Sequence, residues 1–209
     1  MVYVLHGPPG VGKTLTAEAV SEYTKSPLYA VSAGELGTTP GELETDLARI
    51  FALAARWKCV VLLDEADVFM ETRGLHEIER NASVSVFLKV LEYYKGIIFL
   101  TTNRVVSFDE AFKSRIHIAL RFGELDLSAR TKIWKTFVNR LRASRVSLDL
   151  SDEDVLKLAE RQVNGREIKN AIKSAQGLAK RRGELLSLQH LTQVLEIQQA
   201  FLSGVDSGI

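Results

Sequence analysis

Gly7-Pro8-Pro9-Gly10-Val11-Gly12-Lys13-Thr14 has the spacing GxxxxGK[ST]. It lies between Val2–Leu5, a β-branched and apolar run that reads as a strand, and a helical pattern from Gly12 to about Tyr23. Each residue type serves one chemistry. The glycines let backbone N–H groups converge on an anion in a tight concave loop. The helix opening at Gly12 adds the positive end of its dipole. Lys13 can reach the β- and γ-phosphates of a nucleotide as a point charge, and the Thr14 hydroxyl can ligate Mg²⁺, a hard cation that prefers oxygen. Gly7, Pro8, Pro9, Gly10, Val11, Gly12, Lys13 and Thr14, with Leu15 behind them, are therefore the expected nucleotide-binding residues, and ATP with Mg²⁺ the expected ligands. The rival reading is a Gly-Pro turn before a helix with an exposed lysine. The strand–loop–helix context favours the phosphate loop.

A second constellation follows downstream. Val60-Val61-Leu62-Leu63-Asp64-Glu65-Ala66-Asp67 is an apolar strand ending in three acids. Ligands of open α/β sheets bind beyond the carboxyl ends of the strands. Asp64 is thus expected on the phosphate-loop side, holding Mg²⁺ directly or through water, and Glu65 is expected to orient and deprotonate an attacking water. By itself such a segment is often a solvated acidic turn; the upstream loop decides for the functional reading.

The remaining pattern supplies the fold. Ala17, Ala19 and Val20 are the apolar positions of the first helix, which Pro27 ends. Leu28–Ser32 reads as a second strand. Thr39 can cap a helix that has Pro40 in its first turn and runs to about Trp57, with Leu43, Leu47, Ile50, Phe51 and Ala54 on one face. Cys59–Leu63 is a continuous apolar run, as expected of a central parallel strand. A polar stretch, Glu71–Arg80 with Gly74 inside it, precedes a helix over Ala82–Tyr94 with Val86, Leu88, Val90 and Leu91 available for burial. Gly96 closes that helix, Ile97–Thr101 reads as the next buried strand, and Ile116–Leu120 as a fifth. Alternation of strands and helices implies a parallel sheet with helices on both faces. After about Phe122 only amphipathic helices are expected: Ser128–Leu141, Ser151–Gln162, Arg166–Lys180 and Gln189–Phe201, with Asp126 or Ser128, and Ser151, as N-caps. The expectation is an α/β domain over residues 1–123 and a small all-helical domain over 124–209.

Bulk properties exclude several alternatives. The 209 residues carry a formal net charge of +1, so no global field argues for nucleic acid or an anionic membrane. The single cysteine, Cys59, sits in an apolar run; it cannot form an intramolecular disulfide and reads as a buried thiol, with an intracellular, reducing compartment expected. No apolar run approaches the ~20 residues of a membrane span. The N-terminus lacks the features of a signal peptide and begins on a strand, as would a piece of a longer protein. His6, just before the phosphate loop, reads as a strand-end histidine, with contact to the nucleotide as the alternative, while His76, His117 and His190 are scattered without metal spacing. Lys180-Arg181-Arg182 reads as a solvated helix end.

Over nearly its whole length the chain resembles an AAA+ ATPase module. Gly7–Thr14 matches the Walker A loop and Val60–Asp67 the Walker B segment with its DEAD-like end. Thr101-Thr102-Asn103 matches the sensor-1 segment, and Phe108–Ile116 resembles the stretch that carries the arginine finger. The C-terminal helices resemble the family's lid. Arg80–Leu88 together with Ser114–His117 resembles a fungal AAA branch of undefined role. The resemblance implies a P-loop NTPase fold, ATP hydrolysis, and assembly into a ring, with a hexamer expected. It implies that Asn103 positions the lytic water or senses the γ-phosphate. It implies that Arg115 reaches into a neighbouring subunit's site, where such fingers are worth about 10³–10⁵ in rate. It implies that Arg166 folds onto the phosphates as sensor 2. The competing readings are a strand-end turn residue for Asn103, a surface ion pair for Arg115 and an exposed helix-start arginine for Arg166.

Three departures from the family pattern stand out. The chain starts at the phosphate-loop strand, without the preceding segment that packs near adenine. The loop before the second helix reads Thr38-Thr39-Pro40-Gly41 rather than the aromatic–hydrophobic pair of peptide-threading members. One finger arginine precedes Ile116-His117-Ile118 where some members bring two. The expected function is ATP hydrolysis coupled to remodelling or moving a macromolecule, a protein before a nucleic acid. The alternatives are a nucleotide-gated scaffold with little turnover and a nucleic-acid motor.

Overall fold

Apolar strand residues meet two different sets of partners, one on each face of a single sheet. The computed structural model describes residues 1–70, 78–104, 110–144 and 146–206. Strands β1 (Val2–His6), β2 (Leu28–Ser32), β3 (Val60–Asp64), β4 (Ile98–Thr102) and β5 (Ile118–Arg121) form a parallel sheet in the order β2-β3-β4-β1-β5. Side chains alternate between its faces with a period of two. Val61 and Leu63 of β3 pack with Leu43, Leu47 and Ile50 of α2 (Pro40–Trp57) and with Phe87 and Leu91 of α4 (Ile78–Tyr93). Val60 and Leu62 face the other way, toward Ala17 of α1 (Lys13–Tyr23). The α/β fold with helices on both faces is as the alternating pattern requires.

Individual residues differ from the sequence expectation in places. Ala19, expected on the inner face of α1, is exposed, and only Ala17 is fully buried there. In α4 the buried positions are Val84, Phe87, Leu88 and Leu91; Val86 and Val90 are half-buried. Strands β3 and β4 each run one residue further toward their carboxyl ends than expected, which carries Asp64 and Thr102 into the sheet. Strand β5 starts at Ile118 rather than Ile116. The amides of Ser114, Arg115 and Ile116 are bonded back to Glu110, Phe112 and Lys113 behind α5 (Glu110–Lys113), so Ile116 is spent on a turn. A 3₁₀ turn at Ala33–Glu35 and the short helix α3 (Asp67–Met70) carry too few residues to show a period. Thr39, in the loop before α2, accepts from the Glu42 amide while the Glu42 carboxylate returns to the Thr39 amide, a capping box. The Glu71–Glu77 part of the polar stretch, His76 with it, and Phe108–Asp109 lie outside the described residues.

The chain divides into units Met1–Gly123 and Glu124–Ile209. The second contains α6 (Leu127–Ala143), α7 (Asp152–Glu160), α8 (Gly165–Arg182) and α9 (Leu188–Asp206), built around a fully buried Trp134 with Val155, Leu158, Ile168, Ile172 and Leu191. It is not all-helical. A two-residue parallel pairing joins β6 (Leu148–Asp149) to β7 (Leu186–Ser187). Helices α6, α7 and α8 open on side-chain caps at Asp126, Ser151 and Asn164. Asn164 Oδ1 accepts from the amides of Arg166 (2.9 Å) and Glu167 (3.0 Å), and the Glu167 carboxylate accepts from the Asn164 amide at 2.7 Å. Asn164→Ala is expected to lower the unfolding free energy by about 1 kcal/mol. A urea titration followed by circular dichroism checks this, and an unchanged midpoint would show that the cap adds nothing.

Candidate nucleotide site

The carboxyl ends of β1, β3 and β4 carry the site, and the loop after β1 is shaped by its glycines. Gly7 has φ +145°, and a Cβ there would lie 2.1 Å from the Phe122 carbonyl oxygen. The close approach is fixed because the Gly7 amide donates to the Thr102 carbonyl (3.2 Å) and the Phe122 amide donates to the His6 carbonyl (2.8 Å). Gly7→Ala is expected to cost about 1–3 kcal/mol through backbone strain alone. The same denaturation measurement reads it, and a wild-type midpoint would remove the steric argument.

Gly12, at φ +106°, is the N-cap of α1 and offers no side-chain acceptor, nor is there an acid in the first turn. Helices α2, α6, α7 and α8 all open on a side-chain oxygen. The first amides of α1 thus keep their capacity to bind an anion.

Lys13 is buried, and its ammonium donates to Gly7 O (2.8 Å), Pro8 O (2.7 Å) and Asn103 Oδ1 (2.9 Å). These three acceptors match the three donors of a lysine head group. They tie the loop to the residue just beyond β4. The Thr14 hydroxyl lies 3.4 Å from both carboxylate oxygens of Asp64. Burial pushes the His6 imidazole below its ordinary range, with Arg121 and Lys13 adding in the same direction.

Beyond β3 the chain turns sharply. Glu65 has φ +56°, in the left-handed region that a residue with a side chain rarely adopts. Its amide donates to the Thr101 hydroxyl oxygen (3.1 Å), and the Ala66 amide donates to the Thr101 carbonyl (2.9 Å). The Thr101 hydroxyl in turn donates to Asp64 Oδ1. Glu65 leaves this turn with its side chain exposed.

The Gly7–Thr14 loop, Asp64 and Asn103 are therefore brought together, while Glu65 follows Asp64 in the turn with its backbone held by Thr101. Leu15 is 66 % exposed on the outside of α1. Arg115 does not bond to the loop. Its guanidinium donates to Glu92 of α4 (2.7 Å) and to the Ala111 carbonyl (2.7 Å), which is the ion-pair arrangement weighed against the finger. Arg166 is exposed in the first turn of α8, its amide held by the Asn164 cap. Thr101 went unassigned at the level of sequence, although the signal was there: two hydroxyl residues ending an otherwise apolar strand, Ile98-Phe99-Leu100-Thr101-Thr102. A cleft of about 750 Å³ lies at the other ends of β3 and β4, among Phe51, Ala54, Val60, Tyr94 and Ile97. Glu44, Lys58, Lys89 and Lys95 line it as well, but neither the Gly7–Thr14 loop nor Asp64, Glu65 or Asn103 does, so it lies apart from the nucleotide site.

Residues 3–124 match the family model for the ATPase family associated with various cellular activities (AAA), and residues 125–207 match that for a fungal AAA+ ATPase lid domain. ATPase family gene 2 protein homolog B of Bos taurus is 34% identical over 163 residues, covering 72% of this chain and 21% of the relative. ATPase family gene 2 protein of Schizosaccharomyces pombe is 31% identical over 168 residues, covering 76% and 20%. The chain thus spans about a fifth of the length of these curated relatives. Among solved structures, the AAA domain of FIGL-1 in complex with ADP superposes with a TM-score of 0.76 at 20% identity, covering 94% of this chain and 71% of that one. That likeness bears on the fold.

Proposed function

The chain belongs to the AAA family of ATPases, and on that premise we propose that it binds ATP with Mg²⁺ at Gly7–Thr14 and hydrolyses it to ADP and phosphate. The observation that carries the reading is the meeting of three chain segments at one point: Lys13 bonded to Asn103, and Thr14 beside Asp64. The donor set fits both ligands. The loop offers backbone amides and an ammonium for phosphate oxygens. The Thr14 hydroxyl and the Asp64 carboxylate are hard oxygens of the kind Mg²⁺ selects. When bound, the metal neutralises charge on the phosphates.

The chain's own residues do the rest. Lys13 exchanges part of its coordination by loop carbonyls for phosphate oxygens. Asn103, already bonded to Lys13, keeps an amide group at the γ-phosphate end of the site. Glu65, projecting from its left-handed turn, orients the water and accepts its proton. Arg115 acts on a neighbouring copy, and Arg166 acts as sensor 2. A finger supplied in trans implies self-association into a ring, with six copies the expected number, and a protein as the partner remodelled. A nucleic-acid motor is disfavoured by the net charge of +1. The tie between Arg115 and Glu92 within one chain gives some weight to a slower, nucleotide-gated assembly. Phosphate release with Mg·ATP, wild type against Glu65→Gln, tests the reading. Equal rates would remove the water-activating role, and no release from the wild type under assembling conditions would leave the scaffold reading.

A further inference from the structure

We propose that Thr101 is a positioning residue for hydrolysis, setting the Asp64 carboxylate and the Glu65 backbone with a single hydroxyl; the proposal rests on the ATP-hydrolase reading above. Thr101 is 1% exposed, so its polar groups have no access to water. A hydroxyl has one donor and two acceptor lone pairs. Here the proton goes to Asp64 Oδ1, and the oxygen accepts from the Glu65 amide at 3.1 Å. The two bonds depend on each other. With its proton committed to the carboxylate, the hydroxyl presents lone pairs to the amide. The same residue's carbonyl accepts from the Ala66 amide at 2.9 Å, so three consecutive residues, Asp64 to Ala66, are read by one side of β4.

That arrangement answers a cost in the site. Glu65 sits at φ +56°, where the backbone persists only if its surroundings over-determine it. Thr101 provides both amide anchors of the turn. Thr102 cannot substitute. Successive side chains of a strand point to opposite faces, and the Thr102 hydroxyl accepts from the Arg104 amide (3.0 Å) while its carbonyl accepts from Gly7. The division of labour along β4 follows: Thr102 holds the phosphate loop, Asn103 holds Lys13, and Thr101 holds the acids. By fixing one Asp64 oxygen, Thr101 leaves the carboxylate a defined rotamer facing Thr14. By fixing the Glu65 backbone, it aims a base it never touches. Thr101 acts through the acids and has no contact with the reacting atoms.

Such a role separates rate from binding. Thr101→Val keeps the shape and removes the hydroxyl, and a displacement of about 1 Å in a positioned group costs on the order of 10²-fold in rate. Thr101→Val is expected to lower kcat by roughly 10- to 100-fold with KM for ATP little changed, and to raise the Mg²⁺ concentration needed for half-maximal binding of a fluorescent ADP analogue. Affinity for the same analogue in EDTA is expected to stay at the wild-type value. Thr101→Ser keeps the hydroxyl and is expected to recover the wild-type Mg²⁺ dependence and most of kcat. A purely structural threonine would shift the unfolding midpoint without these splits. Wild-type kcat and Mg²⁺ dependence in Thr101→Val would overturn the proposal, as would a Thr101→Ser as impaired as Thr101→Val. If Thr101→Val does not accumulate folded, Thr101→Ala takes its place in the same comparison. If the wild type hydrolyses nothing, the hydrolase reading falls. The Mg²⁺ dependence of analogue binding in the two variants still decides for or against Thr101.

Discussion

Mixing Arg115→Ala with Glu65→Gln is expected to restore phosphate release that each variant alone has largely lost. Arg115→Ala by itself is expected to lower kcat by about 10³-fold or more, the scale of an arginine that stabilises transition-state charge. On the proposed reading each variant lacks a different half of a composite site. In a mixed assembly some interfaces would pair an intact Arg115 with an intact Glu65, and those sites are expected to turn over. The contact made inside one chain does not stand in the way. Arg115 bonds to Glu92 at 2.7 Å, but the Glu92 side chain is 57% exposed. Ion pairs of that kind contribute about 0–1 kcal/mol. A rate effect of 10³ would correspond to about 4 kcal/mol, more than such an ion pair contributes. Glu92→Gln is accordingly expected to leave turnover within about threefold of wild type. Were the mixture as inactive as its components at concentrations where the chain self-associates, the finger would be lost as an explanation and the ion pair would stand as structure only.

What the sequence made legible follows from the range of the interactions involved. The parallel sheet was readable because Val60–Leu63 and Ile98–Leu100 are buried on both faces and carry unbroken apolar text. The helix starts at Thr39 and Ser151 were readable because a cap acts over three residues, and for α6 the same signal left Asp126 and Ser128 as alternatives, of which Asp126 is the cap. The β6–β7 pairing was not, since two residues per strand leave no alternation and the partners are far apart in sequence. The phosphate loop and the acids were legible by spacing. The contacts that join them were not: Lys13 reaches Asn103 and Thr101 reaches Asp64 across long stretches of chain, and nothing local encodes such a meeting. The Gly7 approach to Phe122 is of the same kind, because a glycine requirement imposed by a distant carbonyl leaves no mark on the neighbouring residues. For Arg115 the sequence offered a finger and an ion pair; the geometry within one chain displays the pair, and only a second chain can display the finger.

Glu65→Gln is expected to lower kcat by about 10²–10⁴-fold while leaving ATP affinity near wild type. The argument turns on what the substitution keeps. Glutamine has the size of glutamate and can still hydrogen-bond a water, so orientation survives and proton acceptance is lost. The backbone anchors at Thr101 are amide bonds and are untouched. Nothing that contacts the loop changes either, because Glu65 is exposed and makes no side-chain bond to Lys13, Thr14 or Asp64 among the described residues. Asp64→Asn provides the contrast. It removes charge beside Thr14 and from the Thr101 hydrogen bond, so Mg²⁺-dependent binding and rate are expected to fall together. Equilibrium binding of labelled ATP and single-turnover phosphate release, measured on both variants, separate the two. Loss of binding in Glu65→Gln would place Glu65 among the nucleotide-holding groups, and wild-type release would leave Asp64 or Asn103 to handle the water. Retained binding with stalled release would yield a long-lived ATP-bound chain, the form suited to capturing a partner.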